Sequence, residues 1–135
     1  MNRKKKIAVL FGGCSTEYEV SLQSAYAVIT HMAPQRYEDV PVGLAEEDGQ
    51  WFWYQGSPDR IAQNTWRTSR ECVPVCVPTD RTVQGLQYQK DGQLHVLHVD
   101  GVLPVLHGKN GEDGTVEGAL SLAGIPVLGC GYLSS

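Results

Sequence analysis

Twice in this chain, a short apolar segment leads through a glycine-rich acidic loop into residues with helical spacing. The first apolar segment covers residues 6–11 and its helix is predicted over residues 20–32. The second covers residues 102–106 and its helix residues 115–123, with Gly124 placed to cap it. Short runs rich in branched apolar residues are typical of strands buried on both faces. This repeated order of strand, loop and helix predicts an α/β fold.

Two further segments are expected to complete the core. Residues 37–44 first alternate between apolar and polar side chains and then become continuously apolar, which indicates a strand. Residues 126–128 begin another strand after the second helix. We therefore predict one domain over residues 1–135, with about four parallel strands and helices on both faces, which makes three layers. A length of 135 residues is usual for a single domain.

The middle of the chain is less regular. Residues 51–54 are consecutive aromatics that indicate an added strand, and residues 72–76 also indicate a strand. Ser57 followed by proline is typical of the start of a short helix, predicted to end near residue 64. Residues 86–89 and 94–99 flank an Asp-Gly pair, which predicts a hairpin added to the parallel core.

Composition argues against several classes of protein. The net charge is −4 and the basic residues cluster at positions 3–6, so the basic surface of a nucleic-acid-binding protein is missing. The apolar run after this cluster is too short for a signal peptide, and no run approaches the length of a membrane span. We therefore expect a cytoplasmic protein. No metal site is expected, because zinc and redox spacings are absent among Cys14, Cys72, Cys76 and Cys130.

The first loop follows the carboxyl end of a predicted strand, where open parallel sheets bind ligands. Two interpretations of its polar residues are open. Ser15, Thr16 and Glu19 could simply cap the following helix. Alternatively, Glu17 could hold the ammonium group of a ligand. A dinucleotide is disfavoured, because the adjacent glycines do not match G-x-G-x-x-G and a carboxylate would repel a pyrophosphate.

The second loop lies at the same predicted edge of the sheet and is denser in polar residues and glycines. It contains His107, Gly108, Gly111, Glu112, Asp113 and Gly114. His107 follows a buried strand directly and could donate a hydrogen bond to a ligand carboxylate. A carboxylate in one loop and an imidazole in the other would suit a small zwitterion such as an amino acid.

Both loops resemble the amino-terminal signatures of D-alanine–D-alanine ligases, over residues 12–22 and 107–114. The family includes ligases that join D-alanine to D-serine or D-lactate in vancomycin resistance. The resemblance covers essentially the whole chain and implies a Rossmann-like pre-ATP-grasp domain. It also implies a full-length enzyme that uses ATP and Mg²⁺ to join a first D-alanine to a second amino acid for peptidoglycan synthesis.

The resemblance implies roles for single residues as well. Glu17 would lie near the ammonium of the first D-alanine, Val20 would line its pocket, and His107 would lie near its carboxylate. The supporting loop positions are Gly12, Gly13, Ser21, Gly108, Gly111, Glu112, Asp113 and Gly114. The ATP-grasp lysines and magnesium-binding acids follow residue 135 in this family. No catalytic or metal-binding residue is therefore expected here, and the isolated chain is predicted to be inactive.

Two departures from the family pattern bear on the subtype. Tyr18 stands where many members carry histidine or arginine, and Glu117 where glutamine or a small residue is common. Both would be compatible with a D-serine variant. The family also implies a homodimer, for which Trp51 and Trp53 are the expected exposed contacts. The alternative is a stand-alone amino-acid-binding or nucleotide-binding Rossmann-like module.

Overall fold

The computed structural model describes residues 4–13, 16–106 and 112–129. Within these residues the strands are β1 (Lys5–Gly12), β2 (Tyr37–Leu44), β3 (Trp51–Tyr54), β4 (Cys72–Cys76), β5 (Gly85–Lys90), β6 (Gln93–His98) and β7 (Gly101–Pro104). The helices are α1 (Tyr18–His31), α2 (Pro58–Ala62) and α3 (Glu112–Leu122).

These strands form one sheet in the order β6-β5-β4-β3-β2-β1-β7. β1 pairs in parallel with β2 on one side and with β7 on the other. A parallel bridge between Val102 and Val127 adds the segment after α3 to this part of the sheet. The carboxyl ends of β1, β2 and β7 therefore meet at one edge, which is where both glycine-rich loops begin.

The sheet has an antiparallel half, which the expected architecture of about four parallel strands did not include. β3 to β6 continue the sheet through antiparallel pairs, so the sheet is mixed and seven-stranded rather than about four-stranded and parallel. The predicted hairpin is present, with Asp91 and Gly92 at φ of 54° and 75°, as a two-residue turn of this kind requires. It forms the outer edge of the same sheet, because β5 pairs with β4.

Helices cover both faces of the parallel strands. Ile7, Val9 and Phe11 belong to one buried cluster with the inner face of α1 and with α2. The alternate residues Ala8 and Leu10 belong to a second cluster with α3. Because successive side chains of a strand point to opposite faces, this division places the sheet between two helical layers. Among the described residues, no helix is both long enough and apolar enough to cross a lipid bilayer.

Trp51 and Trp53 of β3 were expected to be exposed, and the structure corrects this expectation. Trp51 and Trp53 are partly buried against the cluster that contains α3. The ring of Trp53 also meets the ring of Tyr88 edge to face, with the centroids 5.3 Å apart. Packing within the sheet therefore accounts for both side chains without an intermolecular contact.

Asp39 on β2 yields a prediction about pH. Partial burial raises the pKa of the Asp39 carboxyl above its usual range, although a backbone hydrogen bond opposes the shift. A raised folded-state pKa means that stability falls as pH rises through the range in which Asp39 ionises. We expect Asp39→Asn to raise the thermal unfolding midpoint at pH 7. This gain should largely vanish at about pH 3, where the carboxyl is mostly protonated in both the folded and the unfolded protein. Equal gains at pH 7 and pH 3 would contradict it.

Candidate functional site

The first loop starts from a tightly held backbone at the end of β1. Gly12 and Gly13 have φ of 91° and 95°, a region that side chains disfavour. A Cβ on Gly12 would lie 2.5 Å from the carbonyl oxygen of Leu44. The N–H of Gly13 donates to this same oxygen at 2.9 Å. The loop therefore leaves β1 pressed against the end of β2, and glycine is required at Gly12.

A buried hydroxyl connects the start of this loop to the end of β7. Ser21 is fully buried on α1, and its hydroxyl accepts a hydrogen bond from the N–H of Gly12 at 2.8 Å. The same hydroxyl donates to the carbonyl oxygen of Val105. The N–H of Val105 donates to Leu10 on β1 at 2.7 Å. Ser21 thus links α1 to both strands from which the glycine-rich loops depart.

Tyr18 at the start of α1 points into the core. Its hydroxyl accepts a hydrogen bond from Nε1 of Trp66 at 3.1 Å and donates to Oδ1 of Asn64 at 3.3 Å. Burial raises the pKa of Tyr18, and the hydrogen bond from Trp66 opposes this shift only in part. The phenol therefore stays protonated at neutral pH and holds the beginning of α1 in place. Internal packing therefore accounts for the Tyr18 side chain.

Trp66 anchors the layer beneath the first loop, although sequence reasoning missed it. Its fully buried ring meets those of Phe11, Phe52 and Tyr54 edge to face, with centroids 5.0 to 6.5 Å apart. A Cβ on Gly43 would lie 2.3 Å from this ring, so the glycine of β2 provides its space. Trp66 lies in a polar, irregular segment, and only its size among polar neighbours could have drawn attention to it.

Glu17 and Val20 lie on the exposed side of the first helical turn. Glu17 is the N-cap residue of α1, and its side chain makes no capping hydrogen bond. The Glu17 side chain therefore does not cap α1. Val20 is 49% exposed, so its apolar side chain is accessible to a ligand. Both residues follow the end of β1 by a few positions, so they belong to the segment that leaves the carboxyl edge of the sheet.

Part of the second loop lies outside the described residues. This applies to His107, Gly108 and Gly111. For Glu112, Asp113, Gly114 and Glu117 the structure describes the helical backbone of α3 and not the side chains. The structure shows that β7 runs parallel to β1, so this loop departs from the same edge as the first. The predicted contact of His107 with a carboxylate stays a prediction.

The described residues do not form a metal centre. In residues 4–13, 16–106 and 112–129, no group of three or more His, Cys, Asp or Glu side chains could hold a metal ion. Cys72 and Cys76 are free thiols. Burial raises the pKa of the Cys72 thiol, which donates to the carbonyl oxygen of Trp66. Cys14 and Cys130 lie outside the described residues.

Comparisons with known proteins converge on one family. The family described as D-ala D-ala ligase N-terminus matches residues 6–130. The chain is 46% identical over 132 residues to the D-alanine–D-alanine ligase of Caldicellulosiruptor bescii, covering 98% of this chain and 35% of that protein.

Solved structures agree with the sequence match. The VanG D-Ala:D-Ser ligase from Enterococcus faecalis superposes with a TM-score of 0.85 at 48% identity, covering 93% of this chain and 35% of that one. The D-alanine–D-alanine ligase from Coxiella burnetii gives a TM-score of 0.77 at 25% identity, covering 94% and 35%. This chain therefore spans about a third of the length of the ligases that it matches.

Proposed function

The chain belongs to the D-alanine–D-alanine ligase N-terminal family, and on that premise we propose that it is the substrate-binding domain of a full-length D-alanine–D-alanine or D-alanine–D-serine ligase. The observation that carries the proposal is the family match over residues 6–130. The shared carboxyl edge from which both signature loops depart supports it. Such an enzyme contributes its dipeptide to peptidoglycan synthesis.

We assign the first D-amino acid to the edge formed by the two loops. The Glu17 carboxylate attracts the ammonium group, and the exposed side chain of Val20 offers an apolar contact for the methyl group. His107 approaches the carboxylate from the second loop. These residues act by holding and orienting the reactant, an effect that contributes several kcal/mol when the reacting atoms are aligned.

The remaining chemistry belongs to the full-length protein. ATP and Mg²⁺ would be held by residues of the full-length protein outside this chain. ATP would supply the phosphoryl group that activates the carboxylate of the first D-alanine for attack by a second amino acid. We propose that this protein works in the cytoplasm as a homodimer, as membership of the family implies. The 135-residue chain alone is expected to release no ADP, because it contributes only the substrate loops.

The proposal is tested with the full-length protein that contains this chain. We expect ADP release that depends on D-alanine, with a D-alanyl dipeptide identified by mass spectrometry and no product from L-alanine. Competition between D-alanine and D-serine as the second substrate then assigns the subtype. The 135-residue chain serves as the control. A folded full-length protein that binds D-alanine but forms no dipeptide would instead indicate an amino-acid-binding module.

A further inference from the structure

Ser21 is unusual among the polar side chains of this fold. Among the residues that the structure describes, Ser21 is the one non-aromatic polar residue whose side chain is fully buried. A buried hydroxyl is unfavourable unless it is hydrogen-bonded. Serine is also a weaker helix former than the residues that usually fill the buried face of a helix. Its presence in α1 therefore calls for an interaction that an apolar residue could not provide.

Both hydrogen bonds of the Ser21 hydroxyl go to backbone groups outside its own helix. It accepts from Gly12 at 2.8 Å and donates to Val105, which is 84 positions away in sequence. Hydroxyls inside helices commonly bond to the preceding turn, as Thr30 does with the carbonyl oxygen of Tyr26 at 2.8 Å. The Ser21 hydroxyl instead joins two strands to α1.

The two backbone groups stand directly before the two loops. Gly12 is the last residue of β1, and Val105 lies two residues before His107. Ser21 itself follows Val20, in the turn of α1 that also contains the exposed Glu17. One oxygen atom therefore connects the starting points of all three groups that are assigned to the first D-amino acid.

We propose that Ser21 is a positioning residue that fixes the separation of the two loops, so that both ends of the first D-amino acid are held at once. Without the hydroxyl, the Gly12 N–H and the Val105 carbonyl lose a shared partner in a buried place. The ends of β1 and β7 are then no longer tied to α1 at a fixed separation, and substrate affinity falls. The role in substrate binding rests on the proposed function, whereas the link between the two strands does not.

The link is tested by hydrogen exchange on the 135-residue chain. In Ser21→Ala we expect the Gly12 amide to exchange about tenfold faster, because its hydrogen-bond acceptor is removed. The Gly13 amide, bonded to Leu44 at 2.9 Å, should keep its protection. Ile29→Val is the matched control, because it removes a buried methyl from the same helix without removing a hydrogen bond. Unchanged exchange at Gly12, or equal changes in both variants, would overturn the link.

The role in binding is tested in the full-length ligase. Ser21→Ala should raise the KM for the first D-alanine about tenfold and leave the KM for ATP unchanged. Thr30→Ala, which removes an exposed hydroxyl from α1, and Ile29→Val should change neither constant. If the enzyme is active but Ser21→Ala leaves the KM for D-alanine unchanged, only the proposed role of Ser21 is overturned. Absence of D-alanine-dependent ADP release by the unaltered enzyme would overturn the proposed function as well.

Discussion

Replacing Trp66 with alanine is expected to lower the free energy of unfolding by about 3 to 5 kcal/mol, the range for large aromatic residues in a core. The ring is fully buried and packs edge to face against Phe11, which belongs to β1. Its removal leaves a cavity under the first loop and takes a hydrogen bond from Tyr18. Urea unfolding followed by far-ultraviolet circular dichroism measures the change.

Trp53→Ala is the control for the loss of a large ring. Trp53 is only partly buried and lies in the antiparallel half of the sheet. Its replacement should cost clearly less than that of Trp66. A loss below about 1 kcal/mol for Trp66→Ala, typical of an ordinary substitution, would show that this ring does not anchor the layer beneath the loop.

The second large effect is expected at Glu17. Glu17→Gln keeps the shape of the side chain and removes the charge that we assign to the ammonium of the first D-alanine. Hydrogen bonds to charged groups contribute about 1.5 to 3 kcal/mol. The KM for the first D-alanine should therefore rise by about 10- to 100-fold in the full-length enzyme, since 1.4 kcal/mol corresponds to a factor of ten.

Glu19→Gln is the matched control, because it removes an exposed carboxylate from the same turn of α1. It should leave the KM for D-alanine within about twofold, as expected for a solvent-exposed charge outside the site. The KM for ATP should stay unchanged in both variants. An effect of Glu17→Gln on ATP alone, or equal effects of the two substitutions on D-alanine, would remove Glu17 from its assigned role.

Local patterns predicted the parts of the fold that depend on local interactions. The helical spacing of Val20, Ala25, Val28, Ile29 and Met32 predicted α1. The Asp-Gly pair predicted the turn between β5 and β6. Pairing between distant strands was not predictable in this way. β4 joins β3 and β5 by pairings such as Phe52 with Pro74, and nothing in either segment specifies its partner. The mixed sheet was therefore missed.

The candidate site shows the same division. The charge of Glu17 and its place in a loop that begins with two glycines were visible in the sequence. The resemblance of this loop to a ligase signature was visible as well. Ser21 was recognised only as a supporting position, because its partner Val105 is 84 residues away. Trp66 was not recognised at all, since its space depends on the absence of a side chain at Gly43 of β2. Long-range packing, rather than motif chemistry, was the missing information.

A titration of the 135-residue chain with D-alanine, followed through backbone amide chemical shifts, tests the two-loop site most directly. Binding should be millimolar at best, about −4 kcal/mol, because part of the pocket lies in the rest of the enzyme. We predict concerted shifts at residues 12–17 and 107–112, smaller shifts with L-alanine, and none at β6. Shifts confined to one loop, or equal responses to the two enantiomers, would contradict a site in which both loops hold one D-amino acid.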